Sequence, residues 1–238
     1  AIETALADYL PEVQTVFEQG ADAMGTEQEA AFIQENFPKC PNISIDYGVL
    51  EKAKEVYEGS QDSYVRKSIH PQYVKYEDNI ECCGNTRLNL DKVIDTICYF
   101  ANSVKMKWLY KVKLMKLLWY SDALSYKRYG HSITGLVYKA LPMGAVPLQY
   151  DLIIDLNGIK YEEVDFEEGS GYHFVANDQS KYSTLSKQDI EVLDTVIDAF
   201  GDKSKEYIVN SMHREKAYFE TAPSDIIQYK YSLELSIN

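Results

Sequence analysis

A long amphipathic helix that runs into a compact turn constrains the fold of this chain more than any other feature. Apolar residues recur every three or four positions over about 108–128, which predicts one helix with a core-facing stripe. Gly130 follows as a left-handed stop, and Pro142, Gly144 and Pro147 predict a turn. The stretch contains no catalytic motif, so it favours a protein-binding module over an enzyme. The stripe comprises Leu109, Val112, Met115, Leu118, Trp119 and Ala123.

The elements around this helix predict an α+β fold that is mainly helical. Apolar spacing predicts one helix over about 90–101 and another over about 187–200, the second capped by Ser186. A further helix is predicted at 203–213, and a strand–turn–strand pattern at 159–176 predicts a β-hairpin. Residues 133–139 are expected to be extended, and 148–156 helical.

The N-terminal part has a different character and reads as a short α/β-like segment. We predict helices over 3–19 and after Thr26, with Glu29 completing a capping box. Residues 43–47 alternate apolar and polar side chains and predict a short strand. The expected organisation is therefore an α/β-like segment at 1–57, a connector at 58–86 with at most one short helix, and the main domain at 87–238.

Charge and hydropathy exclude several classes of function. The net charge is −13, and residues 1–60 hold 12 acidic residues against three lysines. Direct nucleic-acid binding needs clustered Lys and Arg and is not expected, nor is attachment to an anionic membrane surface. No apolar run approaches the length of a membrane span, and the opening AIETALADYLPEV does not resemble a signal peptide.

Cysteine and histidine spacing argues against a metal centre. The four cysteines form no C-x-x-C pair and the four histidines are scattered, so neither zinc nor another cofactor is expected. The acidic run at 162–168 lacks the spacing of a calcium loop. Plain thiols are typical of a reducing compartment, so the predicted location is the cytoplasm.

Candidate contact residues cluster on the main helix and just after it. Lys113 and Lys116 lie three residues apart, and we interpret them as a solvated edge that is also able to contact a partner. Tyrosines such as Tyr120 suit an interface as well as a half-buried site. His213 and Glu215 fall on different helix faces, which argues against a catalytic dyad. The candidate set is Lys113, Lys116, Tyr120, Tyr129, His131, Met143 and His213, with no catalytic residue.

Several separated elements of 87–238 resemble the SocA-like antitoxin family, also called Panacea. The strongest is KLMKLLWY at 113–120, and the match continues through YG, ITG, YKA and GAVP between residues 129 and 147. It resumes at 185–204 and at Ser211-Met212-His213 with Glu215. Ala145 stands where the family usually has proline, and neither a helix-turn-helix nor a zinc ribbon precedes the domain, which weakens any operator-binding role.

This resemblance implies a non-enzymatic, phage-associated antitoxin that binds and neutralises a cognate toxin protein. At least one relative works instead as an adaptor that delivers its toxin to a protease. The resemblance therefore implies a toxin partner, with a protease or a second copy of the chain as further partners.

Residues 37–57, FPKCPNISIDYGVLEKAKEVY, resemble a fragment of the mannose-1-phosphate guanylyltransferase family. The resemblance implies that Glu51 and Lys52 lie near a sugar phosphate. The Gly-rich nucleotide loop and the metal-binding FGWSDLG-like stretch of that family have no counterpart here, so charge in nucleotidyl transfer would lack stabilisation. The alternative function is thus an inactive or remnant sugar-nucleotide transferase.

Overall fold

The computed structural model describes residues 10–40, 51–166 and 169–238, without the side chains of Phe17 and of residues 51–60. The chain divides into two compact units, Ala1–Gln61 and Asp62–Asn238.

The described part of the first unit is helical. Helix α1 spans Pro11–Gln19 and helix α2 spans Glu29–Asn36, followed by a 3₁₀ turn at Phe37–Lys39. The predicted helix after Thr26 is confirmed, but the Glu29 carboxylate accepts from the backbone N–H of Gly25 at 2.8 Å rather than from Thr26. The strand predicted at 43–47 lies outside the described residues.

Helix α3 spans Glu51–Val74, so the division between the two units falls inside it. A one-turn helix, α4, follows at Ile80–Cys83. From Asp62 onward α3 belongs to the second unit, where Ile69 and Tyr73 are buried. The Tyr73 hydroxyl donates to the Leu148 carbonyl at 2.6 Å. This differs from the connector predicted at 58–86, because side chains of that segment fill the core.

Two predicted helices form the middle of the second unit. Helix α5 spans Leu90–Asn102, and the side chain of Asn89 caps it by accepting from the Lys92 N–H at 3.0 Å. Helix α6 spans Lys111–Tyr129 and ends at Gly130, whose φ of 77° is the left-handed conformation that glycine adopts without strain. The prediction of both helices, and of the glycine stop, is confirmed.

A β-hairpin follows α6 where the sequence predicts an extended segment and a turn. Strand β1 spans Tyr138–Leu141 and pairs antiparallel with β2, Gly144–Pro147. The turn is therefore tighter than expected, with Pro142 and Met143 at its tip. The helix predicted at 148–156 is a single turn, α7, at Tyr150–Ile153.

The second predicted hairpin is confirmed. Strand β3 spans Tyr161–Phe166 and pairs antiparallel with β4, Gly169–Phe174. Helix α8 then spans Lys187–Phe200 with the capping box of Ser186 and Asp189. Helix α9 at Lys205–Arg214 follows the prediction closely. One-turn α10 at Lys216–Phe219 and a 3₁₀ helix at Tyr229–Glu234 complete the unit.

Helix α6 is the centre of the second unit, since it packs against α8, α9, β2 and the C-terminal 3₁₀ helix. Trp119 lies fully buried between the rings of Tyr138 and Tyr229, with ring centroids 5.2 and 5.5 Å apart. Helices around a buried central helix and two small antiparallel sheets confirm the predicted α+β class. Among the described helices, none is both long and apolar enough to cross a membrane.

Candidate protein-interaction groove

Lys113 is part of the core and not of a solvated edge. Its side chain is 0% exposed, and its ammonium group donates to three backbone carbonyls, those of Lys107, Gly201 and Lys203, at 2.7–2.9 Å. Burial lowers the pKa of Lys113 to about 8, and the nearby Asp202 opposes that shift. The side chain thereby ties the start of α6 to the end of α8, and the solvated-edge interpretation is wrong.

Lys116 is also buried, at 1% exposed, yet its surroundings differ. Its methylene chain packs near Gly144, where an added Cβ would lie 3.0 Å from the Lys116 Cε. Among the described residues no carboxylate lies within 4 Å of its ammonium and no hydrogen-bond acceptor is found. Burial lowers the pKa of Lys116 to about 8. This second lysine also contradicts the predicted solvated edge.

Asp122, which sequence reasoning did not single out, organises the interior nearly two turns after Lys116 along α6. It is fully buried and accepts backbone N–H groups from Ile133 and Thr134, both at 2.8 Å. It also accepts the hydroxyls of Thr134 and Tyr138, the latter at 2.7 Å. Burial raises the pKa of Asp122 to about 6, and the hydrogen bonds from Thr134 and Tyr138 oppose that shift. The network fastens α6 to the segment leading into β1.

Tyr120 is buried as well, and it faces the C-terminal tail. Its hydroxyl donates to the buried Glu215 carboxylate at 3.1 Å, and Glu215 also accepts the N–H and hydroxyl of Ser236. Burial and the Glu215 carboxylate raise the pKa of Tyr120. Lys113, Lys116 and Tyr120 are therefore structural in this fold and not accessible to a partner.

The four remaining candidates are at least partly accessible. Tyr129 and His131 stack with ring centroids 6.3 Å apart near the end of α6. Met143 is exposed at the tip of the β1–β2 hairpin. His213 stacks on Tyr218 with centroids 4.6 Å apart. Because three of the seven predicted residues are buried, the set does not form one continuous surface.

An open groove lies on another face of the second unit, where the start of α6, the β3–β4 hairpin and the start of α9 meet. Its volume is about 650 Å³. Aromatic rings supply much of its wall, with the Tyr110 and Phe166 rings 5.5 Å apart in an edge-to-face arrangement. The lining residues are Trp108, Tyr110, Lys111, Val112, Phe166, Ser170, Gly171, Tyr172, Ser204, Lys205 and Glu206.

Two large aromatic side chains stand exposed at this groove, Trp108 at 57% and Phe166 at 53%. Trp108 also has a φ of 52°, a left-handed backbone conformation that costs a residue with a Cβ roughly 1 kcal/mol. Its neighbours hold that conformation, because Leu109 is buried and the Lys107 N–H donates to the Gly201 carbonyl at 2.8 Å. The fold thus keeps a tryptophan in solvent at an energetic cost.

One of the three charged side chains that line the groove, Lys111, is held in place by its neighbours. Lys111 donates to Asp151 and lies over the rings of Tyr150 and Tyr172, 4.8 and 5.3 Å from their centroids. Cation–π contact and ion pairing together restrict its ammonium group. The groove wall therefore includes four aromatic side chains, a residue type that is enriched at protein interfaces.

Sequence reasoning did not identify the groove, since its residues come from three separate segments. The predicted helix over about 108–128 includes Trp108, yet this residue lies three residues before α6 begins at Lys111. One feature of the sequence does indicate that Trp108 is exposed, since this tryptophan lies outside the apolar stripe of the predicted helix. Within the described residues, no group of three or more His, Cys, Asp or Glu side chains is arranged to hold a metal ion.

Comparison with known proteins supports one family. Residues 114–218 match the family model described as antitoxin SocA-like, Panacea domain, a range that holds most of α6, both hairpins, α8 and α9. No curated protein and no solved structure matches the chain. The resemblance of 37–57 to mannose-1-phosphate guanylyltransferases is not confirmed. The comparisons thus show a match to the SocA-like antitoxin domain, the Panacea domain, over residues 114–218 of this chain.

Proposed function

We propose that this protein is a non-enzymatic antitoxin that binds a cognate toxin protein and blocks its activity in the cytoplasm. The family match over 114–218 carries the proposal. The groove adds physical support, because exposed aromatic side chains on a rigid scaffold are the groups that dominate binding energy at protein interfaces. Neutralisation by contact requires such a surface and no reacting group on the antitoxin itself.

The groove is the surface that we assign to toxin contact in place of the buried candidates. Trp108 and Phe166 together offer two large apolar side chains, each more than half exposed. Covering them with a partner removes apolar area from water without rearranging the core. Tyr129, His131, Met143 and His213 stay predicted contacts at the edge of a larger interface.

Co-expression with the product of the adjacent gene tests the function. The adjacent protein alone is expected to arrest growth, and the wild-type chain is expected to restore growth and to co-purify with it. Failure to restore growth, together with failure to co-purify, would contradict the antitoxin function.

The same system separates direct neutralisation from delivery to a protease. If the chain blocks the toxin by contact, toxin levels measured after translation is stopped stay constant in the rescued cells. If the chain is an adaptor, the toxin disappears within minutes and persists in cells that lack the protease. We expect constant levels, because the groove is suited to stable contact.

A further inference from the structure

The aromatic side chains of the groove already hold one cation of this chain. The Lys111 ammonium lies 5.3 Å from the centroid of the Tyr172 ring, which lines the groove. The face of an aromatic ring attracts a cation because it carries partial negative charge. Trp108 and Phe166 line the same groove and are more than half exposed, and no Lys or Arg of the described residues lies over either ring. These two rings are therefore open to a cation from another molecule.

Two carboxylates border the groove on the side of the β3–β4 hairpin. Glu163 accepts the hydroxyl of Ser170, a residue that lines the groove, at 2.9 Å. Asp165 is the direct cross-strand partner of the same serine, and the Cβ atoms of such partners lie about 5 Å apart. Both acidic residues are exposed, and no Lys, Arg or His nitrogen of the described residues lies within 4 Å of either carboxylate. Their negative charge is therefore available to a partner.

Each cation that lines the groove is paired with a carboxylate of this chain. Lys111 is bonded to Asp151, and the Lys205 ammonium lies 3.6 Å from the Glu206 carboxylate. These two pairs are neutral together, so the hairpin carboxylates give their side of the groove a net negative charge. The net charge of the whole chain, −13, also favours a partner with a basic surface.

We propose that the groove receives an arginine side chain of the partner protein, with its guanidinium group against the exposed rings of Trp108 and Phe166 and its charge facing the carboxylates of Glu163 and Asp165. Arginine suits this arrangement better than lysine, because a planar guanidinium stacks on aromatic rings while its N–H groups donate to carboxylates. The methylene stem of the arginine covers apolar ring surface. The inference rests on the proposed function, in that the partner is the toxin.

Two small probes that differ mainly in charge test the site without the toxin. N-acetyl-arginine amide carries a guanidinium group, whereas N-acetyl-citrulline amide carries a neutral urea group of similar shape. Trp108 fluorescence reports binding, because the other tryptophan, Trp119, is fully buried. We expect the arginine probe to bind at least about threefold more tightly, the size of an exposed cation–π contact. Equal binding of the two probes, or binding of neither, would overturn the proposal.

Two double variants show whether the hairpin carboxylates supply the attraction. Glu163→Gln with Asp165→Asn removes two charges beside the groove, and the glutamine can still accept the Ser170 hydroxyl. Asp78→Asn with Asp225→Asn removes two exposed charges outside the hairpin and the groove lining. The first pair should lower the affinity for the arginine probe about threefold, and the second should leave it unchanged. A loss of the same size in both would reveal only an effect of net charge and contradict this site.

The toxin complex connects the site to the proposed function. Glu163→Gln with Asp165→Asn should weaken binding of the adjacent gene product about tenfold, and the loss should be largest at low ionic strength, where charges are least screened. Circular dichroism checks that the variant is folded. Unchanged binding of the toxin would overturn the arginine contact and leave the antitoxin function intact. If the wild-type chain forms no complex with the adjacent protein, the proposed function fails, whereas the arginine titration still decides whether the groove binds a guanidinium group.

Discussion

The interior around α6 buries polar side chains, whereas the groove beside it exposes aromatic side chains to solvent. In the interior, Lys113, Asp122 and Tyr120 are buried and their polar atoms are hydrogen-bonded. In the groove, the side chains of Trp108 and Phe166 are exposed to solvent. The first region has no surface to offer a partner. The second offers exposed apolar surface to a partner.

The difference shows that the residues which identify the family are mainly those that build the scaffold. KLMKLLWY at 113–120 is buried over its whole length. Lys113 and Tyr120 hydrogen-bond to other segments of the fold, and both side chains are buried. Partner contact is assigned to residues such as Trp108, which carry no motif and precede the matched range 114–218. A motif and a binding surface are therefore separate features of this chain.

Asp122→Ala should give the largest loss of stability. The substitution removes the acceptor of four hydrogen bonds and leaves buried donors on Ile133, Thr134 and Tyr138 without a partner. Leaving several buried donors unsatisfied lowers the free energy of unfolding by about 4 kcal/mol. Denaturant titration measures this change in the free energy of unfolding. A loss under about 1 kcal/mol would show that the interior is not held by this network.

Lys113→Met and Lys116→Met form a matched pair, and we expect them to change the free energy of unfolding in opposite directions. Lys116→Met removes a poorly solvated ammonium and should raise the free energy of unfolding at pH 7 by up to about 3 kcal/mol. Lys113→Met leaves the Lys107 and Lys203 carbonyls without their donor and should lower it by about 2 kcal/mol. The same sign for both variants would contradict the different roles of the two lysines.

The pH dependence of stability gives a second test of the effect expected for Lys116→Met. Its folded pKa of about 8 lies below the ordinary value of 10.5. Between those values the unfolded chain binds more protons than the folded chain, so the contribution of Lys116 to stability rises with pH in that window. The advantage of Lys116→Met should therefore be constant below about pH 8 and shrink as the pH rises toward 10.5. A difference that stays constant across the window would exclude a lowered pKa.

Trp108→Gly should have the smallest effect on stability. Glycine relieves the left-handed backbone at this position, and that gain offsets the lost packing of a side chain already 57% exposed. The free energy of unfolding should change by less than about 1 kcal/mol, as measured by thermal denaturation. Toxin binding should nevertheless weaken by roughly 30-fold, the size of an interface hot spot. A large loss of stability would show that Trp108 stabilises the fold and is not only a binding residue.

The regular parts of the fold could be predicted from sequence, because local signals determine them. Apolar spacing and the caps at Ser186 and Gly130 predicted α5, α6, α8 and the second hairpin. The burial of Lys113 could not be predicted, because its acceptors at Gly201 and Lys203 are about 90 residues away. The groove depends in the same way on segments that meet only in three dimensions.

Iodide quenching of tryptophan fluorescence tests the central claim most directly. The chain has two tryptophans, of which Trp108 is 57% exposed and Trp119 is 0% exposed. In the free chain, iodide should therefore quench Trp108 emission alone, and Trp108→Phe should abolish that quenching. Addition of the toxin, with its own tryptophans replaced by phenylalanine, should shield Trp108 and reduce the quenching constant several-fold. A complex in which Trp108 remains as accessible as in the free protein would contradict the account.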